Sequence, residues 1–84
     1  MAQNTNKRTF AEIAREIERV WTKYIQTPAR PYLAAMKSID SSDKNAPYLF
    51  ETAESIVTYF LANATYWRGE DARRIKAELK SMIK

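Results

Sequence analysis

Toward the end of the chain four cations recur at helical spacing: Arg73, Lys76, Lys80 and Lys84. At about 100° per residue they fall within an arc of roughly 80°. At about 1.5 Å per residue the row is roughly 16 Å long. No acid interrupts it, so its charge is open to a phosphate backbone. Glu70, Arg74 and Glu78 alternate in sign on the neighbouring flank and read as a ladder of local ion pairs. The four cations also serve solubility and complement the negative end of a helix. No aromatic is interleaved with them to stack bases, so nucleic acid held there would be gripped by its phosphates with little sequence preference.

The second group of candidates is aromatic. Tyr59 falls off the apolar side of its helical pattern, and Tyr48 and Tyr66 stand near element ends, as does Tyr32. Tyrosine offers apolar area with a polar tip and is enriched at interfaces, so Tyr48, Tyr59 and Tyr66 predict contact with a protein partner or a second copy of the chain. The plainer role for each is to cover the edge of the core with its hydroxyl in water.

Catalysis has less to draw on. Histidine and cysteine are absent, which removes the commonest general base, the commonest nitrogen ligand and any disulfide. Glu12, Glu16 and Glu18 share a helix face with Arg15, Arg19 and Lys23, a mixed-charge pattern typical of a solvated surface with local pairs. Nothing there marks a pocket that would shift a carboxyl pKa. The serines lack a partner base and elbow glycines, and the single glycine cannot build a phosphate-cradling loop. Between Asp40 and Pro47 the acids lack the alternating ligands and the glycine of a calcium loop, and Lys44 stands where a ligand should be. The expectation is a protein that is not an enzyme and uses no cofactor, metal or small-molecule substrate.

These side chains need helices to position them. Thr9 and Glu12 have capping-box spacing, and Phe10, Ile13, Ala14, Ile17, Val20, Trp21 and Tyr24 repeat at three and four, predicting one helix from Thr9 through Tyr24. Ala11 to Ile17 resembles the opening helix of helix-turn-helix DNA-binding domains, but the pattern runs on where the turn and recognition helix should follow. Pro28 and Pro31 end that helix, and Pro31 suits the first turn of a short second one carrying Tyr32, Leu33, Met36 and Ile39. Phe50 to Trp67 is the most apolar stretch. Leu49, Phe50, Ala53, Ile56, Val57, Phe60, Leu61 and Ala64 fall on one broad arc, predicting a central helix from about Tyr48 to Asn63 with Phe50 and Phe60 as its largest core side chains. Trp67 is expected to close the core at the following corner, and a last helix is expected from Glu70 to Met82.

The bounds agree with that reading. The chain has 84 residues, 45% hydrophobic and 29% charged, with one glycine, which suits one small helical domain. Its net charge of +4 is concentrated at the end, where Arg68 to Lys84 carry six basic and three acidic residues. No stretch has the apolar length of a membrane span and the opening residues lack the apolar run of a secretory signal, so a cytoplasmic protein without membrane contact is expected. The Asn63-Ala64-Thr65 glycosylation pattern then has no consequence. The fold expected is all-α, a compact bundle of three longer helices plus one short helix over residues 9–84, behind a flexible tail at 1–8.

The segment from Ile56 to Met82, with Pro31-Tyr32-Leu33-Ala34-Ala35-Met36, resembles short uncharacterised helical proteins of gut Bacteroidales bacteria, their phages and mobile elements. No activity comes with that resemblance. The functional expectation therefore rests on the two surfaces: an interaction or structural module, or else an accessory protein that binds nucleic acid nonspecifically through Arg73, Lys76, Lys80 and Lys84.

Overall fold

The structure, a computed structural model, describes residues 7–84. Most of the tail expected at residues 1–8 lies outside them. Four helices carry the fold: α1 (Phe10–Val20), α2 (Arg30–Met36), α3 (Ala53–Asn63) and α4 (Glu70–Met82). A short 3-10 helix (Thr22–Gln26) follows α1, and a two-stranded antiparallel hairpin, β1 (Pro47–Tyr48) and β2 (Glu51–Thr52), precedes α3. The protein is thus mostly helical, with a small sheet that the all-α expectation lacked.

Each helix begins where its first free N–H groups find acceptors. Thr9 caps α1: its side chain accepts from the Glu12 N–H at 3.1 Å while the Glu12 carboxylate accepts from the Thr9 N–H at 2.8 Å. The next N–H groups reach across the fold, Phe10 to the Ser41 carbonyl and Ala11 to that of Ile39. α1 ends at Val20, not Tyr24. There the backbone leaves the helix at Trp21, whose indole stacks on Trp67 at 5.1 Å between ring centroids with 13° between planes. Pro31 stands in the first turn of α2 as expected.

The larger correction concerns the start of α3. Leu49 and Phe50 do not belong to its apolar arc. They form the two-residue tip of the hairpin, 81% and 103% exposed, and the helix begins three residues later, where the Thr52 side chain accepts from the Ser55 N–H. Pro47 contributes no donor to the ladder, and the pairs Pro47–Thr52 and Tyr48–Glu51 set the register. Two further bonds hold the hairpin's base, from the Ala53 N–H to the Ala46 carbonyl and from the Glu54 N–H to that of Lys44.

The core is one cluster in which Phe10, Ile13, Ile17, Leu33, Met36, Val57, Phe60, Ile75 and Leu79 are fully buried. Trp67 closes it at the corner before α4, meeting the edge of Phe60 at 6.4 Å. α2 packs on α3, and α1 touches both α2 and α4. Among the described residues no polar or charged side chain is buried, and no helix is long and apolar enough to cross a membrane.

Candidate binding surfaces at the two ends of the central helix

Helix α3 separates two unlike surfaces. At its beginning stands the hairpin tip. Leu49 has φ = 56°, a left-handed conformation that costs a side-chain-bearing residue about 1–2 kcal/mol and that two-residue hairpin loops usually assign to Gly, Asn or Asp. An apolar, branched residue in that position, followed by a phenyl ring wholly in solvent, is unfavourable on both counts for the isolated chain. Tyr48 beside them is half-buried and packs on the core, while Tyr59 is 47% exposed and leans on Tyr32 with 5.5 Å between ring centroids. Tyr66 is 90% exposed at the far corner. Of the three tyrosines expected at an interface, Tyr59 and Tyr66 are therefore exposed, and Tyr48 belongs chiefly to the core's edge. The sequence reading missed Leu49 and Phe50.

Charge sets this region apart. Residues 45–67 contain Glu51 and Glu54 and no lysine or arginine. Four of the five large apolar side chains exposed on the described surface, Leu49, Phe50, Tyr59 and Tyr66, lie within them; the fifth is Ile25.

At the other end of α3 the chain turns through Gly69, at φ = 114°, into α4. The four cations of the expected row are not equivalent. Arg73, Lys80 and Lys84 are exposed. Lys76 instead turns back over the corner, where its ammonium donates to the Ala64 carbonyl at 2.8 Å and the Trp67 carbonyl at 2.7 Å and lies 5.8 Å from the centre of the Trp67 ring. Burial, then the nearby charges of Lys80 and Arg68, lower its pKa. Lys76 thus ties the corner after α3 together, donating to the Trp67 carbonyl and adding a second donor to that of Ala64, which also accepts from the Trp67 N–H, and only part of its charge faces outward.

Trp67, Arg68, Gly69, Ala72, Arg73 and Lys76 line an open hollow of about 280 Å³ at this corner. Among the described residues neither Arg68 nor Arg73 pairs with a carboxylate, although Glu70 lies three residues before Arg73. Arg68 was not part of the expected row, since it precedes the helix and shares no periodicity with it.

The other flank of α4 is used differently from the ladder expected along it. Arg74 reaches Glu16 on α1 at 2.7 Å and Asp71 at 3.1 Å, and Glu78 receives both a 2.6 Å and a 3.1 Å bond from Arg8. Arg8, expected in the tail, also meets Glu16 at 2.6 Å. Glu16 is accordingly no member of a merely solvated face: its side chain is 13% exposed, and hydrogen bonds from Arg74 and then Arg8 outweigh burial and hold its pKa at about 2. Among the described residues no three acidic side chains converge as metal ligands would.

No protein-family model matches this sequence, and neither curated proteins nor solved structures yield a significant match. Function is therefore argued from the two surfaces themselves.

Proposed function

We propose that the protein is a non-catalytic interaction module, a compact bundle of three longer helices and one short one, that engages a partner protein with its hairpin tip. The exposure of Leu49 and Phe50 on a strained but well-anchored turn carries the reading. Backbone strain at a turn persists where the surroundings enforce it, and it clusters at functional positions. A phenyl ring in water is an anchor in want of a pocket. Glu51 and Glu54 follow the tip, and the nearest cation in sequence is Lys44 at the hairpin's base, so the tip itself is flanked by acid and the complementary partner has an apolar pocket with a basic rim.

A photoreactive phenylalanine analogue at position 50 tests this, with the same analogue at the exposed Arg15 as control. A single adduct of fixed mass at position 50, absent at position 15 and lost with Leu49→Ser, is the expected result. Equal labelling at both positions would refute the reading, and an adduct of twice the chain's own mass would assign the tip to self-association.

A second reading is favoured by the unpaired cations of the other surface. In it, Arg73, Lys80 and Lys84, with the outward part of the Lys76 charge, bind nucleic acid through phosphates. Binding to mixed-sequence DNA or RNA that falls steeply with salt, and that disappears when these residues become Gln, supports it; no binding at low salt removes it.

A further inference from the structure

The hollow between α3 and α4 brings cations together without an acid to neutralise them. Of its six lining residues, three are Arg68, Arg73 and Lys76. Elsewhere Arg8, Arg19, Lys37 and Arg74 each meet a carboxylate, and cations such as Arg15, Lys23 and Arg30 stand exposed without one; what sets the hollow apart is that its cations converge on one concave site. Glu70 is placed to pair with Arg73 or Arg74 by helical spacing, yet Arg74 turns to Glu16 and Asp71, and Arg73 is left without a carboxylate among the described residues. Like charges gathered at a concave site destabilise the free protein and are relieved by a bound anion.

Shape narrows the ligand. At about 280 Å³ the hollow is just below the range of ligand sites, which run from roughly 300 to 1,000 Å³. That suits a single phosphate with part of its sugar better than a whole nucleotide. Its wall at Gly69 is bare backbone, with no heavy atom within 4 Å of where a Cβ would stand. Two guanidiniums offer forked donors matched to phosphate oxygens, and the ammonium offers a point charge. Lys80 follows the hollow one turn along α4 and Lys84 lies just beyond the helix's end, so charge extends in one direction beyond the site.

We infer that the hollow is a seat for one phosphate of a nucleic-acid strand, with Arg68 and Arg73 gripping its oxygens, Lys76 at the floor, and Lys80 and Lys84 lying under the strand as it leaves. The inference rests on the nucleic-acid reading above and adds Arg68 to it. The seat sets where the strand starts its contact, and the remaining row contributes only diffuse attraction. A free phosphate would use the same oxygens but would gain nothing from Lys80 and Lys84.

The chain has one glycine, so its amide gives a single nuclear magnetic resonance signal located in the wall of the seat. A short single-stranded oligonucleotide of mixed sequence, titrated at low salt, is expected to move the Gly69 signal to saturation. Arg68→Gln with Arg73→Gln should weaken binding at least tenfold and reduce the log–log salt slope by about 1.4, the value for two lost contacts to a single strand. Lys80→Gln with Lys84→Gln should weaken binding and still leave the Gly69 signal moving. Both pairs are exposed, so unchanged thermal unfolding serves as the control for folding. If the strand binds and the Gly69 signal stays still, the seat is wrong and the diffuse row stands. Absence of binding removes both. Inorganic phosphate that moves Gly69 at the strand's own affinity would overturn the assignment to a backbone.

Discussion

Residues 45–67 and 68–84 adjoin in sequence and have opposite surfaces. The first holds two acids, no cation and most of the exposed apolar side chains; the second holds six cations, three acids and none of the exposed large apolar ones. The hairpin precedes α3 and the cationic hollow follows it, and α3 is roughly 16 Å long at 1.5 Å per residue. The difference teaches that exposure of a side chain is not evidence of idleness in either region, but that the two regions stabilise the fold by different means. In the first, a residue is either core or solvent, as Phe60 and Phe50 are. In the second, charged residues divide into those that hold helices together and those that do not.

The sharpest test of this division compares the two phenylalanines. Phe60→Ala should lower the unfolding free energy by about 3–5 kcal/mol, whereas Phe50→Ser should change it by less than about 0.5 kcal/mol, both read from denaturant titration. Equal losses would mean that the hairpin tip packs against something in the free protein. Next in size, Lys76→Met should cost about 1–3 kcal/mol, because the Trp67 carbonyl loses the ammonium and that of Ala64 keeps only the Trp67 N–H, while Lys80→Met should stay within about 0.5 kcal/mol. If the two lysines prove equivalent, the corner is not held by an ammonium.

Acid should loosen the contact of α4 with α1. The Glu16 carboxyl titrates at about 2 in the folded protein against 4.5 as its ordinary value. The unfolded chain therefore takes up the proton first, and stability present above pH 4.5 is lost as the pH falls toward 2. Glu16→Gln should flatten the stability–pH profile over that interval, measured by unfolding at fixed pH. A profile as steep as the parent's would assign the acid sensitivity elsewhere. Smallest of all, Leu49→Asn should raise stability by up to about 1 kcal/mol by easing the left-handed turn. Under the proposed function the same change should weaken partner binding, so that stability and binding move in opposite directions.

Much of this arrangement could be read beforehand, where the signal was local. The Thr9–Glu12 box, Pro31 in the opening turn, the bounds of α4 and the closure of the core by Trp67 follow from caps, proline geometry and periodicity. Leu49 and Phe50 deceived because they fit the helical arc and the hairpin has no glycine to announce it; Thr52, three residues before Ser55, was the available sign of a later start. The end of α1 at Val20 has no proline or glycine to announce it, and coincides with the stacking of Trp21 on the distant Trp67. Likewise Lys76 shares the spacing of Arg73 and Lys80, and the carbonyls of Ala64 and Trp67 at the corner before α4 hold it inward. Periodicity gives the side of a helix; which cation on that side is engaged depends on what the next element leaves unsatisfied.

The fastening of α1 has a consequence for how the chain is made. Its first N–H groups wait for the carbonyls of Ser41 and Ile39, and Arg8 waits for Glu78, 70 residues away. On a ribosome α1 is made before α4, so Arg8 has no Glu78 to bond until α4 follows. The fastening of α1 is thus made in two stages, first to the segment after α2 and only later to α4.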